Sequence, residues 1–162
     1  MKADIKQALI QSGFLAASLL VCFTISHFLK DGFAIGCLAA SCFIAFGFPN
    51  ANSSRPRFLI GGYVCAILCG SVCAAMLHIL GWEKSGYMRI VLAILSAFAA
   101  SVLMLVLQLQ HPPAAALAVA IVQDTMPLHV AAAAMGSVLL ICCIKHFGAK
   151  ILAGNQNPSQ KE

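Results

Sequence analysis

Gln108-Leu109-Gln110-His111-Pro112-Pro113-Ala114-Ala115-Ala116 ends one apolar run and begins another. Neither proline has a backbone N–H, and the first drives His111 out of the α region. A helix arriving from the N-terminal side must therefore stop near Leu109. A new one can begin at Pro113 or Ala114, where proline is tolerated. The second run reaches only Val122 before Gln123-Asp124-Thr125-Met126-Pro127, which is short for crossing a hydrocarbon core about 30 Å thick. At membrane depth, a broken helix with polar residues at its break is tolerated only where it lines a cavity or is buried in protein. The stretch is the leading site candidate, set against the plainer reading of a helix stop at the membrane surface.

Lipid is the solvent this chain requires. Of its 162 residues, 61% are hydrophobic and only 9% charged, with a mean hydropathy of +0.93. A soluble domain carries roughly a quarter charged residues. The formal charge of +5 is spread over termini and short loops, with no basic run fit for nucleic acid. The chain divides into a transmembrane domain over residues 1–148 and a polar C-terminal tail over 149–162. Met1 to Lys6 precedes an apolar run without an A-x-A cleavage pattern, so that run reads as an uncleaved first span.

The apolar stretches define an all-α, polytopic bundle of five to six membrane segments. Leu9 to Phe28, Phe58 to Leu80, Met88 to Leu107 and Leu128 to Phe147 are long enough to cross. Residues 33–48 and 113–123 are short or broken. Each half therefore reads long, short, long, and three crossings per half would make a 3+3 inverted repeat. Gly32, Gly36 and Ala40 are spaced for close packing in the second segment. His27 and His78 read as interfacial, and Trp82 and Tyr87 as an aromatic belt. Gly62, Ala66, Gly70 and Ala74 form a small-residue stripe that should put the third segment in the bundle centre.

The eight cysteines all lie in apolar runs, without a C-x-x-C pair, and read as small hydrophobes. Cys65, Cys69 and Cys73 share a helical face that a soft metal would suit. Their interleaving with the small stripe favours packing, so no metal or cofactor is expected. Sidedness follows from lysine and arginine. With six crossings, Lys2, Lys6, Arg55, Arg57, Lys145, Lys150 and Lys161 share one face, against Lys30, Lys84 and Arg89. A re-entrant piece after the break would move the last three lysines across. Six crossings with both termini cytoplasmic is the expected topology.

Two regions bear a family resemblance. Leu109-Gln-His111-Pro112-Pro113-Ala-Ala-Ala-Leu117 resembles the signature of the HPP family of integral membrane proteins. Gly36-Cys-Leu-Ala39-Ala-Ser41-Cys-Phe43 through Gly47, then Ser54-Arg55-Pro56-Arg57 to the Gly61-Gly62 pair, is similar to the family's small-residue helix and Arg-Pro-Arg turn. The likeness spans roughly residues 10 to 148, judged against the spans above. One departure is Ala115, where the family has glycine. Some members are associated with nitrite transport, and the resemblance implies a bacterial inner-membrane protein that handles a small inorganic anion.

On the residues themselves, a helix starting at Pro113 or Ala114 would offer N–H groups and a positive dipole end to an anion. His111 could donate a hydrogen bond or carry a proton. The expected pathway is His111, Pro112, Pro113, Ala114, Ala115, Gln108, Ser41 and Asp124, with Asp124 alternatively capping the next helix. Gln108 and Gln110 are too close in sequence to be expected on the same side. Arg55 and Arg57 would attract anions to a cytoplasmic mouth, or simply anchor the chain. The competing function is a non-transporting membrane subunit. An enzyme is not expected: no paired carboxylates, triad order or phosphate loop occurs. The small-residue faces would also permit a homo-oligomer.

Overall fold

The computed structural model describes residues 5–29 and 34–154. Lys2, Lys30, Asp31, Gly32 and residues 155–162 lie outside the described residues, as do the side chains of Lys6, His27 and Lys150. Among the described residues there are six α-helices, one 3-10 turn and no strand. They are α1 (Ile5–Leu29), α2 (Ala34–Gly47), the turn Asn52–Ser54, α3 (Pro56–Ile79), α4 (Gly86–Val106), α5 (Pro112–Gln123) and α6 (Pro127–Gly154). This is the all-helical membrane bundle expected from the apolar runs.

Among the described residues, three helices have the length and hydropathy to cross a bilayer: Pro56–Ile79, Gly86–Val106 and Pro127–Gly148. The described apolar parts of α1, α2 and α5 are Leu9–Thr24, Gly36–Gly47 and Pro112–Gln123. The candidate span of α6 ends at Gly148, and the helix continues through Gly154. Ala149, Ile151, Leu152 and Ala153 favour helix, and a started helix adds residues at little cost.

The centre belongs to α3 and α5. Helix α3 packs against α4, α5, α6 and the 3-10 turn, and α5 against α2, α3, α4 and α6. The small stripe makes this possible. A Cβ on Gly70 would lie 3.0 Å from both the Ala118 carbonyl oxygen and Ile121 Cβ on α5. A Cβ on Gly62 would fall 2.7 Å from His111 Cβ. These glycines let two backbones approach more closely than any side chain would allow. Ala66 and Ala74 are buried on the same stripe, and Cys65 and Cys73 are buried in the packing beside it.

The helix packing has the exchange symmetry of a 3+3 repeat. Exchanging α1 with α4, α2 with α5 and α3 with α6 carries α1–α2 onto α4–α5, α3–α4 onto α1–α6, and α3–α5 onto α2–α6. The two short helices, α2 and α5, pack on each other across the middle. The symmetry is incomplete, because α5–α6 contact is broader than α2–α3.

Three serines within the spans cost little. Ser18, Ser96 and Ser101 donate to carbonyls of their own helices, at Phe14, Ala93 and Ala97. That keeps their hydroxyls satisfied in an apolar medium.

Candidate functional site

The break is built by two successive devices. Helix α4 closes with the N–H of Leu109 on the Met104 carbonyl (2.8 Å) and that of Gln108 on Leu105 (3.2 Å). This is a Schellman closure, whose turning residue must be left-handed. That residue is Gln108, at φ 53°, the one non-glycine with positive φ among the described residues. Helix α3 ends in the same closure, with Trp82 on Leu77 and Gly81 on His78, but there the turning residue is Gly81 at φ 67°. Glycine adopts this conformation freely, whereas a side chain costs about 1–2 kcal/mol. The chain tolerates that cost at 108, where an amide is gained. Leu109 then seats over Gly61, against which a Cβ would lie 2.8 Å away.

The second device is the proline pair. His111 is held extended, φ −136° and ψ 89°, by the proline that follows it, and Pro112 and Pro113 open α5. With its backbone turned out of both helices, His111 swings its ring inward and is fully buried. Nδ1–H donates to the Ser53 carbonyl at 3.1 Å, and Nε2 meets Ser41 Oγ at 2.8 Å. Ser41 Oγ also lies 2.8 Å from Tyr63 Oη and 2.9 Å from the Cys37 carbonyl. A buried chain of polar groups thus joins α2, α3 and the break.

The loop between α2 and α3 is clamped from the other side. Lys145 Nζ on α6 donates to the carbonyls of Pro49 and Ser54 and to Ser54 Oγ. Ser54 is buried, and its hydroxyl lies 2.8 Å from the carbonyls of Pro49 and Ala51. Residues 49–55 are therefore held between the Lys145 ammonium and the His111 imidazole.

Beside this clamp lies an open cleft of about 390 Å³, lined by Asn52, Arg57, Phe58, Leu105, Gln108 and Gln110. Its polar lining is one guanidinium and three amides, without a carboxylate. Both glutamines reach it, contrary to the expectation that at most one would. The left-handed turn at Gln108 ends the helix and reverses the chain, so the helical spacing that would point residues two apart to opposite sides no longer applies.

Other expected residues fall differently. Ala114 is buried and Ala115 half-buried on α5. The N-terminus of α5 does not supply the expected donors: its first two residues lack an N–H, and the Ala114 N–H is bonded to the His111 carbonyl at 2.9 Å. Asp124 stands at the far end of α5, roughly 18 Å away for a helix of that length. There its Oδ1 accepts from the Met126 N–H at 2.8 Å, a turn-forming role just before α6. Arg55 is exposed at the entry to α3 and does not line the cleft. Tyr63, Ser53, Ser54, Lys145 and Asn52 were not singled out from sequence as site residues. Tyr63 carried a usable signal, since a tyrosine inside an apolar helix needs a partner for its hydroxyl.

Gln108 offers a direct test of this construction. Gln108→Gly should raise stability by about 1 kcal/mol by relieving the left-handed residue, while removing one amide from the cleft. A thermal melt in detergent that showed no gain would mean that the turn is not strained.

Fold and site together define a polytopic helical membrane protein with a buried polar hub at a helix break and a donor-lined cleft beside it. A family model described as "HPP, transmembrane region" matches residues 1–158. The chain belongs to the HPP transmembrane family. No curated protein and no solved structure matches it.

Proposed function

We propose that this protein binds a small inorganic anion in the cleft beside the His-Pro-Pro break and passes it across the membrane, with nitrite the leading candidate. The observation that supports this most is the cleft's lining: Arg57 with the amides of Asn52, Gln108 and Gln110, and no carboxylate. Guanidinium presents a planar fork that pairs with two oxygens at once. Nitrite offers two oxygens on one nitrogen, much as a carboxylate does on carbon. The amides can each add an N–H, and Phe58 and Leu105 lower the local dielectric around the ion. This places the anion on side-chain donors and not on the start of α5.

The distribution of lysine and arginine supports six crossings with both termini in the cytoplasm. The cleft then opens to the cytoplasm, in a bacterial inner membrane. No catalytic chemistry is part of this reading, and a homo-oligomer is compatible with it.

Arg57→Gln tests the reading. Nitrite affinity of the purified protein, measured by titration calorimetry, should fall more than tenfold. Arg57→Lys should recover only part of it, because an ammonium keeps the charge and loses the fork. Equal nitrite affinity in Arg57→Gln and wild type would remove Arg57 from the site.

A further inference from the structure

We propose that His111, Ser41 and Tyr63 form a proton-binding site linked to the anion cleft, so that the protein takes up a proton together with its anion. This rests on the anion reading above and adds the identity of the coupling ion.

The geometry admits two complete hydrogen-bond arrangements. Because a carbonyl can only accept, His111 Nδ1 keeps its hydrogen toward Ser53 in both. Ser41 has one hydroxyl hydrogen and three close partners, so it must choose. With a neutral imidazole, Ser41 donates to Nε2 and accepts from Tyr63. With an imidazolium, Nε2–H donates to Ser41, and Ser41 turns its hydrogen to the Cys37 carbonyl. Tyr63 then donates to the same carbonyl, 3.3 Å away. One proton is gained from water at the Nε2 lone pair, and none is lost elsewhere. Only hydroxyl hydrogens rotate, so neither state leaves a buried polar group unpaired.

Charge decides when the proton enters. Around the buried His111, α2 presents Ser41, α3 presents Tyr63 and the loop presents the Ser53 carbonyl, while Arg55 and Arg57 are exposed. Helix α6 presents Lys145 on the adjacent Ser54, while α5 contributes only prolines and alanines. The described carboxylates, Glu83 and Asp124, lie at the opposite end of the bundle. A buried imidazolium would therefore lack a carboxylate counterion among the described residues, which is unfavourable. An anion in the cleft supplies the missing charge. The coupling path is short: Gln110 on the cleft wall precedes His111, and Asn52 precedes the Ser53 that His111 holds. By linkage, if the anion raises the affinity for the proton, the proton raises the affinity for the anion by the same factor.

The test is nitrite affinity of the purified full-length chain between about pH 5 and 8, the range in which an imidazole ordinarily titrates. In wild type, Kd should tighten by up to tenfold per unit fall in pH where one proton accompanies one anion. His111→Gln should still bind nitrite, with a flat pH profile. Ser41→Ala should flatten it too, although the imidazole is intact, because the imidazolium then lacks its acceptor. His78→Gln, at the far end of the bundle, should keep the wild-type slope. As a measurement independent of variants, the His111 ¹⁵N signals at fixed pH should shift from neutral to doubly protonated when nitrite is added. A flat wild-type profile with nitrite bound, a preserved slope in His111→Gln, or unshifted ¹⁵N signals in the nitrite-bound protein would overturn the proton site and leave the anion reading standing. Failure to bind nitrite or any other small anion at every pH would overturn the anion reading beneath it.

Discussion

Gly70→Leu is expected to abolish recovery of folded protein, whereas His78→Leu is expected to leave it near wild type. Gly70 faces α5 so closely that a single added carbon would meet the Ala118 carbonyl oxygen and Ile121 Cβ at 3.0 Å. Neither neighbour is the far end of a flexible side chain. Leucine would force α3 and α5 apart and open the core that Leu117, Ala118 and Ile121 fill. Overpacking typically costs about 1–3 kcal/mol, and more where backbone must move. A protein of ordinary stability, roughly 5–15 kcal/mol, loses much of its margin to such a change. His78 is half exposed and pairs with Glu83 at the surface, and such pairs contribute about 0–1 kcal/mol. Similar melting temperatures for the two variants, followed by circular dichroism in detergent, would contradict the central position of α3.

The second large effect is expected at Lys145. Lys145→Met should destabilise the protein by about 1–3 kcal/mol, the cost of leaving buried acceptors without a donor. It should also release the loop from Pro49 to Arg55, whose carbonyls the ammonium now holds. The loop carries both Ser53, the partner of His111, and Asn52 on the cleft wall. Nitrite affinity should therefore fall at least tenfold even though Lys145 does not line the cleft. Hydrogen exchange over residues 49–55 distinguishes the cause. Faster exchange there, with the rest of the bundle protected, is the expected pattern. Unchanged exchange would mean that the ammonium does not clamp the loop.

The helices were legible in the sequence because lipid imposes a simple demand: long apolar runs with no backbone left unpaired. The proline pair marked the boundary between α4 and α5, and the spacing of Gly62, Ala66, Gly70 and Ala74 marked the packed face of α3. The close approach at Gly62 and Gly70 is what such a stripe permits. The burial of His111 was also implied, since a polar break at membrane depth must find partners.

The partners themselves were not legible. Ser41, Tyr63 and Ser53 come from three separate parts of the chain, and nothing in local spacing links them to position 111. Lys145 looked like an ordinary cytoplasmic anchor near the end of a span, and its reach to Pro49 and Ser54 depends on how α6 packs. The cleft was displaced from its expected place for a local reason. The start of an ordinary helix offers free N–H groups, but at α5 two prolines and the Ala114–His111 bond leave few to offer. The donors came from Gln108 and Gln110 instead. A glutamine in a left-handed turn, where α3 uses glycine, has no signature in a single sequence.

The central claim is that a donor-lined cleft beside the break serves a permeating anion. Its most direct test is nitrite flux in proteoliposomes of the full-length chain, with empty liposomes as the baseline. Wild type should show saturable uptake well above that baseline, and Arg57→Gln should lose most of it at low nitrite. Uptake indistinguishable from empty liposomes, for nitrite and for a panel of other small anions, would contradict the account and favour a membrane subunit that does not transport.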